Sequence, residues 1–273
     1  MSISIFTDEI TRESPQRAIA LAAEWGVSHV EVRSLRNGRF PNVSESELES
    51  YQTLLLDAGL SVSGVSPGFW KCSVDDPSVS RTLSDDVPRA CDWAHRLGTD
   101  LVSSFAFRRT DAPGPPQEVS EHIGKLADVV HAHGCRLVLE NEASCWGATG
   151  LEAAGIICDV DADRVGLCWD PGNSARAGTA YPFPDEYEQI KDLVSHVHIK
   201  NFDTGTGEWC LANDGVVDWS GQIEALANDS YNGHIVIETH TSISPDTFTV
   251  KSDDLSELEW NTLKNLEFVR ALY

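Results

Sequence analysis

CRLVLE (135–140), VGLCWD (165–170), HVHIK (196–200) and HIVIE (234–238) decide the fold of this chain. Each run is apolar and β-rich, and each carries a polar side chain of metal-binding type at or near its end. Buried parallel strands read in this way, as short apolar runs without clean alternation. Working outward, four earlier runs repeat the pattern: ISIF (3–6), HVEVR (29–33), SVSGVS (61–66) and DLVSSFA (100–106). Segments with helical apolar spacing separate them, at Ser14–Trp25, Ser44–Ala58, Val79–Leu97, Glu118–His133 and Ser256–Leu272. Strand and helix alternating from end to end imply a parallel sheet, and eight repeats imply closure. The expectation is an α/β protein, a single (β/α)8 TIM barrel spanning residues 1–273. An open doubly wound sheet is the rival, but no GxGxxG follows the first strand and no Walker loop occurs.

In such a barrel the C-terminal strand ends open onto the active site. Glu140 closes the fifth strand, Asp170 the sixth and Glu238 the eighth, while His198 lies near the end of the seventh. Their spacing of about one βα repeat each sets them side by side around the rim. Three carboxylates converging after apolar runs are costly to bury unless a cation compensates them. A single divalent ion held by Glu140, Asp170, His198 and Glu238 is the expected remedy. The oxygen-rich donor set favours Mn²⁺, Mg²⁺ or Co²⁺, admits Zn²⁺, and disfavours copper(I) and iron–sulfur chemistry.

Around this set, strand periodicity puts His196 and Lys200 on the same face as His198. His196, Lys200, Asn173, Trp70, Trp146 and His240 are the expected substrate contacts, the tryptophans because aromatic faces suit sugar rings. Phe107, Trp209 and Glu142 are weaker candidates of the same kind. Glu31 and Arg33 both point inward and are expected to pair with each other.

The motifs TDEI (7–10), VEVR (30–33), VLENE (138–142), WDPGN (169–173), HVHIKN (196–201), DGVVDW (214–219) and IETH (237–240) together resemble the xylose isomerase-like barrel superfamily, which contains sugar isomerases, epimerases, inosose dehydratases and barrel AP endonucleases. The resemblance covers nearly the whole chain. It implies a metal-dependent keto-sugar or aldose isomerase or epimerase; that MSISIFTDEI (1–10) shows no signal-peptide pattern adds the expectation of a cytoplasmic protein. Glu140 and Glu238 would be the catalytic acid/base pair, moving a proton through an enediolate that the metal stabilises. A dehydratase using the same residues, and a sugar-binding barrel without catalysis, are the alternatives. Where AP endonucleases carry a histidine three residues after the strand-six aspartate and an Asp-x-His after strand seven, this chain has Asn173 and DGVVDW. Epimerases often have a histidine at the former place too, so the resemblance implies the superfamily's chemistry rather than a ketohexose in particular.

Composition narrows the partners. With 43 acidic against 20 basic residues and a net charge of −23, a nucleic-acid backbone would be repelled. The acidity fits either a halophilic host or an ordinary acidic protein. No run of 18 apolar residues occurs, so no membrane partner is expected. Seven cysteines without a CxxC pair argue against a disulfide framework or zinc knuckle. After the seventh and eighth strands, NFDTGTGEWCLANDGVVDW (201–219) and THTSISPDTFTV (239–250) hold no Lys or Arg beyond Lys200 at the start, so the expected substrate is a sugar or polyol-derived compound without phosphate. A homo-oligomer is compatible with the sequence.

Overall fold

A computed structural model describes residues 1–241 and 254–273. Eight parallel strands close into a barrel: β1 (Ser2–Phe6), β2 (His29–Val32), β3 (Ser61–Phe69), β4 (Leu101–Ser104), β5 (Arg136–Glu140), β6 (Val165–Trp169), β7 (Val194–Ile199) and β8 (His234–Ile237). Around the ring each strand neighbours its successor, and β8 closes onto β1 through Ser2↔His234 to Ile5↔Ile237. With the helices outside, the chain forms a (β/α)8 TIM barrel.

The helices start where side-chain caps permit. Ser14, Ser44 and Ser256 accept from the backbone N–H three residues on, so the helices proper run Pro15–Glu24, Glu45–Ala58 and Glu257–Arg270. Such a cap satisfies one amide that would otherwise lack a partner, a contribution of about 1 kcal/mol each. The continuous helix expected over Val79–Leu97 is instead divided into Ser78–Arg81, a π-helical turn Thr82–Asp86 and Val87–Arg96. Pro88 is the reason: lacking an N–H, it cannot bond four residues back, and the chain widens by one residue there.

Inside the barrel, Leu101, Val138 and Cys168 form a small apolar cluster separate from the main core, which lies between strands and helices. Glu140 follows Val138 on the same face by the strand's two-residue period, and Asp170 follows Cys168. Apolar packing thus gives way to polar side chains at the C-terminal ends. Two hairpins flank that mouth, Ser34–Leu35 with Gly38–Arg39 after β2, and Asn201–Asp203 with Glu208–Cys210 after β7. Among the described residues no helix is long and apolar enough to cross a membrane.

Candidate metal centre

Glu140, Asp170, His198 and Glu238 converge at the C-terminal end of the barrel, each offering one ligand atom within 4.8 Å of the others. All four are buried, with exposures of 5%, 0%, 1% and 5%. Asp170 is held twice by Asn141, whose Nδ2 donates to the Asp170 carbonyl at 2.7 Å and whose Oδ1 accepts from the Asp170 N–H at 2.8 Å. Asp170 also caps the short helix Pro171–Arg176, and Asn173 Nδ2 donates to its Oδ2 at 2.9 Å. Gly172 lets that helix start against β7, since a β-carbon there would lie 2.9 Å from the Lys200 carbonyl oxygen.

Behind the cluster lies a buried polar layer in the barrel lumen. Glu31, fully buried, accepts from His196 Nε2 at 2.7 Å, His198 Nε2 at 3.3 Å, Ser63 Oγ at 3.1 Å and Ser66 Oγ at 3.0 Å. Burial alone would raise the Glu31 carboxyl, but the two histidines more than offset it and hold it well below the ordinary carboxylate range. The expected Glu31–Arg33 pair does not form. Arg33 instead reaches the other way, to Asp8 at 2.9 Å, to Glu238 at 2.6 Å and to Glu9. The reason is local: Glu31 lies deeper in the lumen, level with the β7 histidines, whereas Arg33 emerges above β2 beside the TDEI segment that follows β1.

The residues fit a metal ion. His198 spends Nε2 on Glu31, while its Nδ1, buried and without a hydrogen-bond partner, lies 3.4 Å from Glu140 Oε1 and 3.9 Å from Glu238 Oε2. An imidazole nitrogen left bare among three carboxylates is the donor set that Mn²⁺, Mg²⁺ or Zn²⁺ accepts. Orientation of the imidazole by a carboxylate on its far nitrogen is a common companion of such sites.

Lys200 supplies part of the charge balance. Its ammonium, 2% exposed, lies 2.8 Å from Asp170 Oδ2 and 2.8 Å from Glu238 Oε2. Burial works against its charge, yet Asp170 and Glu238 leave its pKa well above the ordinary lysine value. Glu238, where burial acts the other way, is held well below the usual range by Lys200, His240 and Arg33. Asp170 is pushed up to about 6, chiefly by burial, with Lys200 opposing.

The site opens into a cavity of about 500 Å³ bordered by Glu140, Glu142, Glu238, His240, Phe6 and Phe105 together with a set of basic side chains. His240 lines it and contacts Glu9 Oε1 at 2.9 Å. Lys200 and His196 lie beneath, committed to Asp170 and Glu238 and to Glu31 respectively. Asn173 is buried at 1% and serves Asp170 rather than the cavity. Trp70 and Trp146 are each 3% exposed and border no part of it. Trp70 instead stacks on Phe107 at 4.8 Å, so these two tryptophans pack the loops and leave the aromatic wall to Phe6 and Phe105. Trp209, on the second hairpin, lies under the Lys200 ammonium at 4.9 Å and against His240 at 5.9 Å. Sequence reading missed Asn141, Asp8, Glu9 and Arg39. The first three stand in quoted motifs, VLENE and TDEI, whose chemistry was not resolved residue by residue. Arg39 lies in a segment that reads as plain loop.

Comparison with known proteins agrees with this architecture. Residues 19–269 match the family described as xylose isomerase-like TIM barrel. A xylose isomerase-like TIM barrel protein from Mycobacterium smegmatis, solved in complex with magnesium, is 22% identical, covers 99% of this chain and 97% of its own, and superposes with a TM-score of 0.71. The D-allulose 3-epimerase from Methylomonas sp., in complex with D-allulose, is 20% identical over 100% of this chain and 97% of its own, with a TM-score of 0.75. An uncharacterised protein of Methanocaldococcus jannaschii is 24% identical over 119 residues, which span 42% of this chain and only 41% of that protein. With barrel, strand-end residues and family match in agreement, the chain belongs to the xylose isomerase-like TIM barrel family.

Proposed function

We propose that this protein is a divalent-metal-dependent isomerase or epimerase of a keto-sugar, aldose or related hydroxy-carbonyl compound, with Glu140 and Glu238 exchanging the proton. The observation that carries the reading is the convergence of Glu140, Asp170, His198 and Glu238 at the floor of a cavity that both glutamates border. A bound divalent ion would polarise adjacent carbonyl and hydroxyl oxygens and so acidify the C–H bond beside them. Magnesium in the mycobacterial relative and D-allulose in the epimerase support this class of cofactor and substrate.

The chain's own groups divide the remaining work. Glu140 stands on β5 and Glu238 after β8, with β6 and β7 between them in the ring, so they approach a bound substrate from different sides. Glu238 is committed to Arg33 and Lys200, whereas among the described residues the ion-pair contact of Glu140 is with His198, at 3.4 Å. Glu140 is accordingly assigned the removal of the proton onto a carboxylate oxygen. Glu238 takes a proton from solvent and delivers it to the substrate, its cationic neighbours making that proton readily transferable, and Glu140 gives up its own to solvent, which resets the pair. Positioned acid/base groups of this kind contribute about 10²–10⁴-fold in rate. Phe6 and Phe105 keep the cavity wall apolar beside them.

The test uses Mn²⁺-reconstituted protein in D₂O with a panel of ketoses, aldoses and hydroxy-keto compounds. Deuterium washed into a carbon position without loss of water is expected. An enone product would instead identify a dehydratase, and no exchange on any compound, with the metal bound, would overturn the reading.

A further inference from the structure

Basic side chains are scarce in this chain, 20 among 273 residues at a net charge of −23. Five of them, Arg12, Arg33, Arg36, Arg39 and Lys71, border the cavity above Glu140 and Glu238. They face four carboxylates there, Asp8, Glu140, Glu142 and Glu238. On an otherwise strongly acidic protein this concentration requires an explanation, and internal ion pairing accounts for only part of it. Arg33 is committed to Asp8, Glu9 and Glu238, and Lys71 to Glu142 at 2.7 Å. Among the described residues no carboxylate pairs with Arg12, Arg36 or Arg39.

Arg39 is the best defined of the three. Its Nε donates to the Pro67 carbonyl at 2.7 Å and its Nη2 to the Ser66 carbonyl at 3.1 Å, which clamps the guanidinium against the end of β3. It lies over Gly68, whose φ of +70° and missing side chain make the room: a β-carbon there would collide with the guanidinium. The result is a fixed cation with an open edge on the cavity.

We propose that the cavity takes its substrate by an anionic end: the carboxylate of a hydroxy-keto acid seats against Arg39, with Arg36 and Arg12 at the rim, while its hydroxy-carbonyl end faces Glu140 and Glu238. This rests on the proton-transfer reading above and names the substrate class within it. A planar guanidinium fork matches a carboxylate bidentately. Phosphate sites in these barrels are built from the loops after β7 and β8. In those loops the stretches 200–219 and 239–250 contain no Lys or Arg other than Lys200, which is already spent on Asp170 and Glu238. The unphosphorylated substrate expected from the sequence is retained, but the charge comes from the β2 and β3 side of the mouth.

Dissociation constants decide the matter, measured by calorimetry on the full-length, Mn²⁺-loaded protein with the four 2-ketohexoses in three forms at carbon six: neutral alcohol, carboxylate and phosphate. At least one ketohexuronate is expected to bind 10- to 100-fold more tightly than its neutral counterpart, the range for a charge-assisted hydrogen bond. Arg39→Gln should abolish that advantage, so that the uronate binds no more tightly than the neutral sugar. An Arg12→Gln/Arg36→Gln double variant, at exposed positions where folding is not at stake, should reduce it several-fold. No uronate preferred over its neutral partner, a preference for the phosphate, or an advantage that survives Arg39→Gln would overturn the proposal. Uronate binding that depends on Arg39 without any C–H exchange would instead uphold the anion site and sink the proton-transfer reading.

Discussion

Glu31 stands behind His198: its Oε1 lies 3.3 Å from His198 Nε2, and the opposite ring nitrogen, Nδ1, faces Glu140 Oε1 at 3.4 Å. The buried carboxylate therefore selects which nitrogen is left for an ion. Losing such a partner typically costs about 10–100-fold in metal affinity. Glu31→Gln should weaken Mn²⁺ binding by that order in a calorimetric titration, with circular dichroism unchanged. Wild-type affinity in the variant would remove Glu31 from the account.

Lys200 predicts a stability effect. Removing one partner from a buried ion pair leaves the other charge uncompensated and costs about 3–5 kcal/mol. Lys200→Met leaves both Asp170 and Glu238 in that state, so the metal-free variant should lose stability of this order in urea unfolding. Added Mn²⁺ should restore part of it. A variant as stable as wild type without metal would show that the two carboxylates tolerate each other unaided.

The eight strands were legible because each is a short apolar run at a regular interval, and the convergence of Glu140, Asp170, His198 and Glu238 because each lies at or near the end of such a run. The arrangement around it was not. Whether Arg33 turns to Glu31 or to Glu9 depends on the height of each residue in the lumen, which depends on the stagger between strands and leaves no trace in either motif. Trp70 was unreadable for a similar reason: it has a φ of +59° and stacks on Phe107, a contact between two separate loops. Arg39 matters only because the backbone at Ser66 and Pro67 receives it and Gly68 makes room.

At the opposite end of the barrel His234 gives a pH dependence. Burial first, and then His29 and His196, push its pKa down to about 4. A histidine near 6.5 in the unfolded chain takes up its proton before the folded one does. Stability present above pH 6.5 should therefore be lost as pH falls through the window from about 6.5 to 4. Replacing His234 by Asn should flatten the thermal midpoint across that window. An unchanged slope would place the acid sensitivity elsewhere.

The net charge of −23 predicts a salt effect. The Debye length shrinks from about 30 Å at 0.01 M to about 3 Å at 1 M salt. Repulsion among surface carboxylates should fade accordingly, and the thermal midpoint should rise with NaCl over this range. A midpoint that stays flat would exclude a halophilic adaptation.

Glu140→Gln separates holding an ion from moving a proton. Its amide oxygen can still touch a metal, but the basic carboxylate is gone. The variant should keep its Mn²⁺ and lose about 10²–10⁴-fold in exchange rate. Asp170→Ala should lose metal and activity together. Near-normal exchange by Glu140→Gln would assign the proton to another group.

The central claim, a four-residue metal centre at the top of the barrel, is tested most directly by anomalous diffraction from a crystal soaked in Mn²⁺. The account predicts one strong peak per chain, bounded by Glu140, Asp170, Glu238 and the Nδ1 of His198. No peak among these side chains, or a peak held instead by Glu9 and His240 with His198 Nδ1 still bare, would contradict it.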